Sequence, residues 1–240
     1  LMDRRTPQSS PPVKGAHIAV LGTGSIGSRH LEVLLGMTEA QVVAVPKRPE
    51  RISQLEQAGY STARSLDEAV QKGATLCIVA TDTSRHVEDG LAAIDLGLDL
   101  LVEKPVAAAA EEASRLREGA KQAGRSVFVG CVLRFSDSLN TFRGLLSRVG
   151  RLHSVRIECQ SYLPDWSPSR AYQRSYSARS IEGGVLLDLI HEVDYAGWLF
   201  GWPTSVQGRI KNLGRLGIAS EEVADLSWET PEGCIVSTNL

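Results

Sequence analysis

The run His17-Ile18-Ala19-Val20-Leu21-Gly22-Thr23-Gly24-Ser25-Ile26-Gly27 constrains this chain more than any other part of it. An apolar stretch of buried-strand character ends in a G-x-G-x-x-G loop. Apolar residues at helical spacing then continue over 26–35. Only a strand, a tight turn and a helix entered at once accommodate that order. Gly22 permits the turn, Gly24 lets the backbone approach an anion, and Gly27 lets helix and strand pack closely. The N–H groups at such a helix start lack intrahelical partners, so the loop suits a pyrophosphate. Gly22, Thr23, Gly24, Ser25 and Ile26 are the candidate contacts. The competing reading is a glycine-rich turn with no ligand.

The rest of the first half repeats the strand-then-helix rhythm. Apolar runs at 41–45, 75–80, 100–103 and 127–130 predict strands, and periodic segments at 49–58, 66–72, 87–96 and 107–123 predict helices. Strands without alternation, each followed by a helix, form a parallel sheet covered on both faces. The expectation is a doubly wound α/β Rossmann domain over 15–131, preceded by a polar, Pro/Ser-rich loose tail at 1–14. Past Gly130–Leu133 the pattern changes. Helices are expected at 137–148 and 185–200, strands at 152–159, 206–211, 222–229 and 234–239, and irregular chain over 161–180. This reads as a second, α+β domain over 132–240 with a largely antiparallel, open-faced sheet.

Composition excludes several function classes. The 240 residues carry a net charge of −2, so no basic field draws in nucleic acid or an anionic membrane. No apolar run reaches a membrane span, and Arg4-Arg5 is not followed by an apolar segment, so no secretory signal is expected. Cys77, Cys131, Cys159 and Cys234 form no C-x-x-C pair, which argues against zinc and dithiol chemistry and fits a reduced, cytoplasmic protein. No metal-ligand spacing occurs anywhere.

The second strand ends in Pro46-Lys47-Arg48 rather than in the acidic residue, about 20 residues past the loop, that holds a ribose 2′-hydroxyl. Two cations there favour a 2′-phosphate, hence NADP(H) over NAD(H); the alternative is that Lys47 and Arg48 are solvated surface charges. Thr81, Thr83 and His86 follow the third long strand, and Glu103-Lys104-Pro105 follows the fourth, both at the carboxyl edge where doubly wound sheets bind ligands. His86 is read as more structural than catalytic. A lysine titrates near about 10.4, so proton transfer by Lys104 at neutral pH needs burial or a neighbouring cation. Taken alone, Lys104 is a surface lysine at a strand end. A cis Lys104–Pro105 bond is compatible with the dipeptide and not dictated by it. Asp188, His191 and Asp194 recur every three residues on the predicted 185–200 helix, near one face, where a carboxylate can fix a histidine tautomer. The alternative is a solvated polar stripe. Arg134 serves either an anion clamp or a domain-boundary salt bridge. Trp166 is the candidate sugar-stacking residue of the 161–180 loop, with loop packing as the competing reading.

The glycine loop, Thr81 with His86, Glu103-Lys104-Pro105, Arg134-Phe135 and the 183–194 segment together resemble the Gfo/Idh/MocA oxidoreductases, over residues 16–201. The resemblance implies a Rossmann domain followed by an open-faced antiparallel sheet, with NAD(P) held between them. It implies Lys104 as general acid/base, with an Asp and a His, here Asp188 and His191, approaching a sugar-like substrate opposite it, and Thr81 turned against the cofactor. Glu103 is read as orienting Lys104 or contacting the nicotinamide ribose. This chain departs from the family in placing Asp188 and His191 one position closer together than usual. Either the helix start shifts or Asp188 has a lesser role. The expected activity is NAD(P)-dependent hydride transfer at a hydroxyl-bearing carbon of a sugar, sugar nucleotide or cyclic polyol. The alternatives are an NAD-dependent glycosidase of the same fold and a non-catalytic NADP-sensing regulator. Copies are expected to associate through the second-domain sheet. That domain reads as short for the family, so a fragment is among the expectations.

Overall fold

The computed structural model describes residues 15–37, 39–166 and 171–240; the segment read as a loose tail, 1–14, lies outside the described residues. The chain forms two compact units. The first comprises the described residues up to Thr81 with Arg85–Glu103 and Glu111–Phe128. The second comprises Asp82–Ser84, Lys104–Ala110 and Val129–Leu240.

In the first unit the strands are β1 His17–Leu21, β2 Gln41–Val45, β3 Ser61–Thr62, β4 Leu76–Val79, β5 Asp99–Val102 and β6 Val127–Val129. The helices are α1 Ser25–Leu35, α2 Arg51–Gln57, α3 Leu66–Gln71, α4 His86–Asp95 and α5 Ala110–Ala123. The sheet order is β3-β2-β1-β4-β5-β6, the doubly wound order with its switch point at β1 and β4. β1 pairs in parallel with β2 and β4, Ile18 lying opposite Val42 on one side and Leu76 on the other. Ile18, Val20, Ala44 and Ile78 pack with Leu31 and Leu34 of α1, which is why the central strands carry no polar alternation. α3 is capped by Ser65, whose Oγ accepts from the Glu68 N–H at 3.2 Å. α4 and α5 stop just before Gly97 and Gly124, which take the left-handed conformation that only glycine adopts cheaply. β3 was not expected from the sequence: two residues are too few to show a period.

In the second unit the helices are α6 Asp137–Leu145, α7 Val185–Asp188 and α8 Ile190–Phe200, and the strands are β7 Ser154–Glu158, β8 Gln207–Lys211, β9 Val223–Glu229 and β10 Ile235–Asn239. The sheet order is β7-β10-β9-β8, antiparallel at β10–β9 and β9–β8 and parallel at β10–β7. Ile157, Val236 and Trp228 lie on one sheet face and pack with Ala196 of α8. In register on the opposite face stand Arg156, Ser237 and Ser227. The single helix expected over 185–200 is two helices, broken at Leu189 (φ −99°, ψ 29°). Among the described residues no helix is long and apolar enough to cross a membrane. None of their His, Cys, Asp and Glu side chains form a group that could hold a metal ion. Burial pushes the Cys77 thiol up to about 12, which makes it inert.

Candidate active site

The glycine loop is built as its sequence requires. Gly22 has φ 90°, and a Cβ there would run into the Ala80 carbonyl; a Cβ on Gly27 would run into the Gly22 carbonyl. Gly24 differs, because a Cβ on it would meet nothing within 4 Å. The first turn of α1 has neither a side-chain cap nor an acidic residue. An open cradle over an uncapped, eleven-residue helix start fits the pyrophosphate of a dinucleotide. Thr23 is buried, whereas Ser25 and Ile26 are exposed at the helix start. Arg51, the first residue of α2, reaches back over the loop, its Nη2 donating to the Thr23 carbonyl at 3.0 Å. Arg51 carries no motif that marks it in the sequence.

The two cations at the end of β2 part company. Lys47 Nζ lies 2.8 Å from Oδ1 of Asp89, which is only 5% exposed on α4. Arg85 Nη2 reaches the same oxygen at 3.0 Å. Burial alone would raise the Asp89 carboxyl, but the bonds from Lys47 and Arg85 outweigh it and hold the group below the ordinary carboxylate range. Arg48 stands exposed. His86 is buried and donates from Nε2 to the Thr81 carbonyl at 3.0 Å, bracing the turn after β4. Thr83 is buried. Glu103, just past β5, is 8% exposed, and its Oε1 lies 2.6 Å from Nε2 of His30 on α1. No partner for His30 was foreseen. The available signal was its place three residues past Gly27, on the same helix face.

Lys104 and the 183–194 segment meet in the second unit. Lys104 Nζ donates to the main-chain carbonyl of Asp188 at 2.7 Å. In an unbroken helix that carbonyl would accept from the Glu192 N–H; here Glu192 donates to Leu189 at 3.1 Å instead. The lysine therefore occupies the acceptor that the break releases. The Asp188–His191 spacing is met by that break: Asp188 closes α7 and His191, partly buried, lies in the first turn of α8. The Asp188 carboxyl is itself buried, 7% exposed. Burial raises it above the ordinary carboxylate value, opposed by hydrogen bonding from Ser177 and Tyr176 and by the charge of Lys104. Burial, with the Asp188 charge adding to it, pushes the Tyr176 phenol up to about 12. The Lys104–Pro105 peptide is cis.

Asp194 follows His191 by three residues on α8. Arg134 grips it in a fork, Nε to Oδ2 at 2.8 Å and Nη2 to Oδ1 at 2.7 Å. Of the two roles weighed for Arg134, this geometry is the ion pair, formed within the second unit. Arg134 and Arg143 both lie over the Trp198 ring, at 5.8 and 4.7 Å from its centroid. Trp166 is 42% exposed and donates from Nε1 to Ser161 within its own loop. Glu182, also unforeseen, accepts from the Ser84 N–H at 3.0 Å and pairs with Arg179.

Sequence comparison matches residues 16–131 to a family described as "Oxidoreductase family, NAD-binding Rossmann fold", and residues 146–240 to the "GFO/IDH/MocA C-terminal domain". The chain belongs to the Gfo/Idh/MocA family. A myo-inositol dehydrogenase of Streptomyces leeuwenhoekii is 30% identical over 77% of this chain and 55% of its own length. A scyllo-inositol 2-dehydrogenase (NADP(+)) of Bacillus subtilis is 29% identical over 80% of this chain and 54% of its own. The chain thus spans little more than half of either relative. Among solved structures, the WlbA dehydrogenase of Bordetella pertussis, in complex with NADH and UDP-GlcNAcA, superposes with a TM-score of 0.83. That match has 21% identity and covers 95% of this chain and 69% of that one, a likeness of fold.

Proposed function

We propose that this chain carries the dinucleotide-binding and proton-transfer machinery of an oxidoreductase acting on a hydroxyl-bearing carbon of a sugar-like or cyclic polyol substrate. The observation that carries the reading is the 2.7 Å bond from Lys104 to the carbonyl freed at the Leu189 break. Lys104 is thereby fixed, within the second unit, to the helix segment that bears Asp188 and His191. A bound nicotinamide supplies hydride acceptance or donation. Gly22, Thr23, Gly24, Ser25 and Ile26 hold its pyrophosphate, with Thr81, Thr83 and His86 shaping the neighbouring turn and Glu103 meeting the ribose. Lys104 moves the hydroxyl proton as general acid or base. His191 and Asp188 orient the substrate, and Arg134 and Trp166 bound its site.

The preference proposed is for NADP(H). No carboxylate ends β2, Arg48 is exposed there, and Arg51 stands over the glycine loop. Lys47 belongs to the same basic edge, though its ammonium is paired with Asp89. The relative from Bacillus subtilis is named for NADP(+), which supports the same choice. Association of copies through the second-domain sheet is part of the proposal; sedimentation giving only a monomer would remove that part. The central test measures dinucleotide binding by fluorescence and turnover on a panel of inositols, sugars and sugar nucleotides. The expected result is NADPH bound more tightly than NADH and turnover lost in Lys104→Met. Turnover preserved in that variant rejects the mechanism, and tighter NADH binding rejects the cofactor preference.

A further inference from the structure

The Glu103 carboxylate is deeply buried at the end of β5, with its own N–H bonded to the Val79 carbonyl at 3.0 Å. A carboxylate at that depth is costly unless a donor meets it. The donor comes from α1: Nε2 of His30 lies 2.6 Å from Oε1, with the two side chains 22% and 10% exposed. A carboxylate accepts only, so the proton sits on Nε2 and the imidazole tautomer is set. His30 follows Gly27 by three residues on α1, the helix whose start is the candidate pyrophosphate site. One short contact therefore joins the anion-binding helix to the residue that immediately precedes Lys104 in the chain.

We infer that His30 is a positioning residue for the dinucleotide. It holds the Glu103 carboxylate in the orientation that accepts the hydroxyls of the nicotinamide-side ribose. The phosphates and the adenosine half are held without it. This rests on the dinucleotide reading above and adds to it a residue that touches no ligand. Removing the His30 donor loosens the orientation of that carboxylate, which weakens ribose binding while leaving the glycine cradle intact.

Two kinds of probe separate these effects. Calorimetric titration compares NADPH and NADH with ADP and 2′,5′-ADP, which lack the nicotinamide ribose. His30→Phe, which keeps ring volume without the donor, is expected to weaken the better-bound dinucleotide about 10-fold. It should leave the better-bound of ADP and 2′,5′-ADP within about twofold. His30→Gln, whose amide still donates, should recover most of the loss. Combining His30→Phe with Glu103→Gln should weaken binding no further than the worse single change. Where His30→Phe gives no cooperative melt, His30→Ala takes its place. Unchanged dinucleotide affinity overturns the inference. So does an equal loss for ADP-type probes and dinucleotides, which marks general damage to the loop, and so does full additivity of the two changes. If the unsubstituted chain binds none of the four probes, the dinucleotide reading falls and this inference with it.

Discussion

Two buried aspartates each have a lysine beside them, and they meet it differently. Asp89 in the first unit receives Lys47 and Arg85 directly on its carboxylate, and the bonds hold it ionised against burial. Asp188 in the second unit receives Lys104 on its main-chain carbonyl; its carboxyl faces Tyr176 and Ser177 and is raised by burial. The first arrangement is a closed ion pair that ties β2 to α4. In the second, burial raises the carboxyl and the lysine is held by a main-chain oxygen. The same residue types make an ion pair in one place and a lysine–carbonyl bond in the other, and the difference lies in which oxygen the lysine finds.

The largest expected effect sharpens that contrast. Measured side by side, Lys104→Met should lose about a thousandfold in turnover with little change in melting temperature. Lys47→Met should keep turnover within severalfold. Comparable losses of turnover in the two variants would erase the distinction. Next comes stability. Asp89→Asn gives up the charged hydrogen bonds from Lys47 and Arg85, both more than a third exposed and able to turn to water, and should cost about 2 kcal/mol in urea denaturation. Asp188→Asn should lie within about 1 kcal/mol of the unsubstituted chain, because a neutral amide replaces a carboxyl already pushed toward neutrality. Lys47→Met is milder than Asp89→Asn, about 1–2 kcal/mol, since Arg85 stays on the carboxylate.

The smallest effect is the pH dependence, where the two aspartates have opposite signs. Asp89 is depressed in the fold, so its contribution is present above the unfolded value near about 3.9 and fades as pH falls through the folded value. Asp188 is raised, so its contribution is full below about 3.9 and is lost as pH rises through its folded value. Melting curves should therefore show the Asp89→Asn penalty shrinking toward acid pH. Asp188→Asn should gain on the unsubstituted chain as pH rises from about 4 to 8. Parallel curves for both variants would show that the two carboxyls do not differ.

The sequence by itself determined the frame. The glycine loop, the unalternating strands and the glycine stops after α4 and α5 each act within a few residues, so strand, turn and helix could be read in order, and the doubly wound sheet followed. Glu103-Lys104-Pro105 and the segment around His191 stood out by their resemblance to the family's motifs; taken alone, Lys104 reads as a surface lysine at a strand end. What only the tertiary structure decided were the pairings across long stretches of chain: His30 with Glu103, Lys47 with Asp89, Arg134 with Asp194 and Lys104 with the Asp188 carbonyl. No period in a sequence encodes which buried carboxylate a distant cation reaches. The break at Leu189 belongs with these, because the periodicity of residues 185–200 is that of one helix. The carbonyl it frees is satisfied by a lysine 84 positions earlier in the chain. Burial makes unpaired polar groups costly, and packing determines which partners arrive.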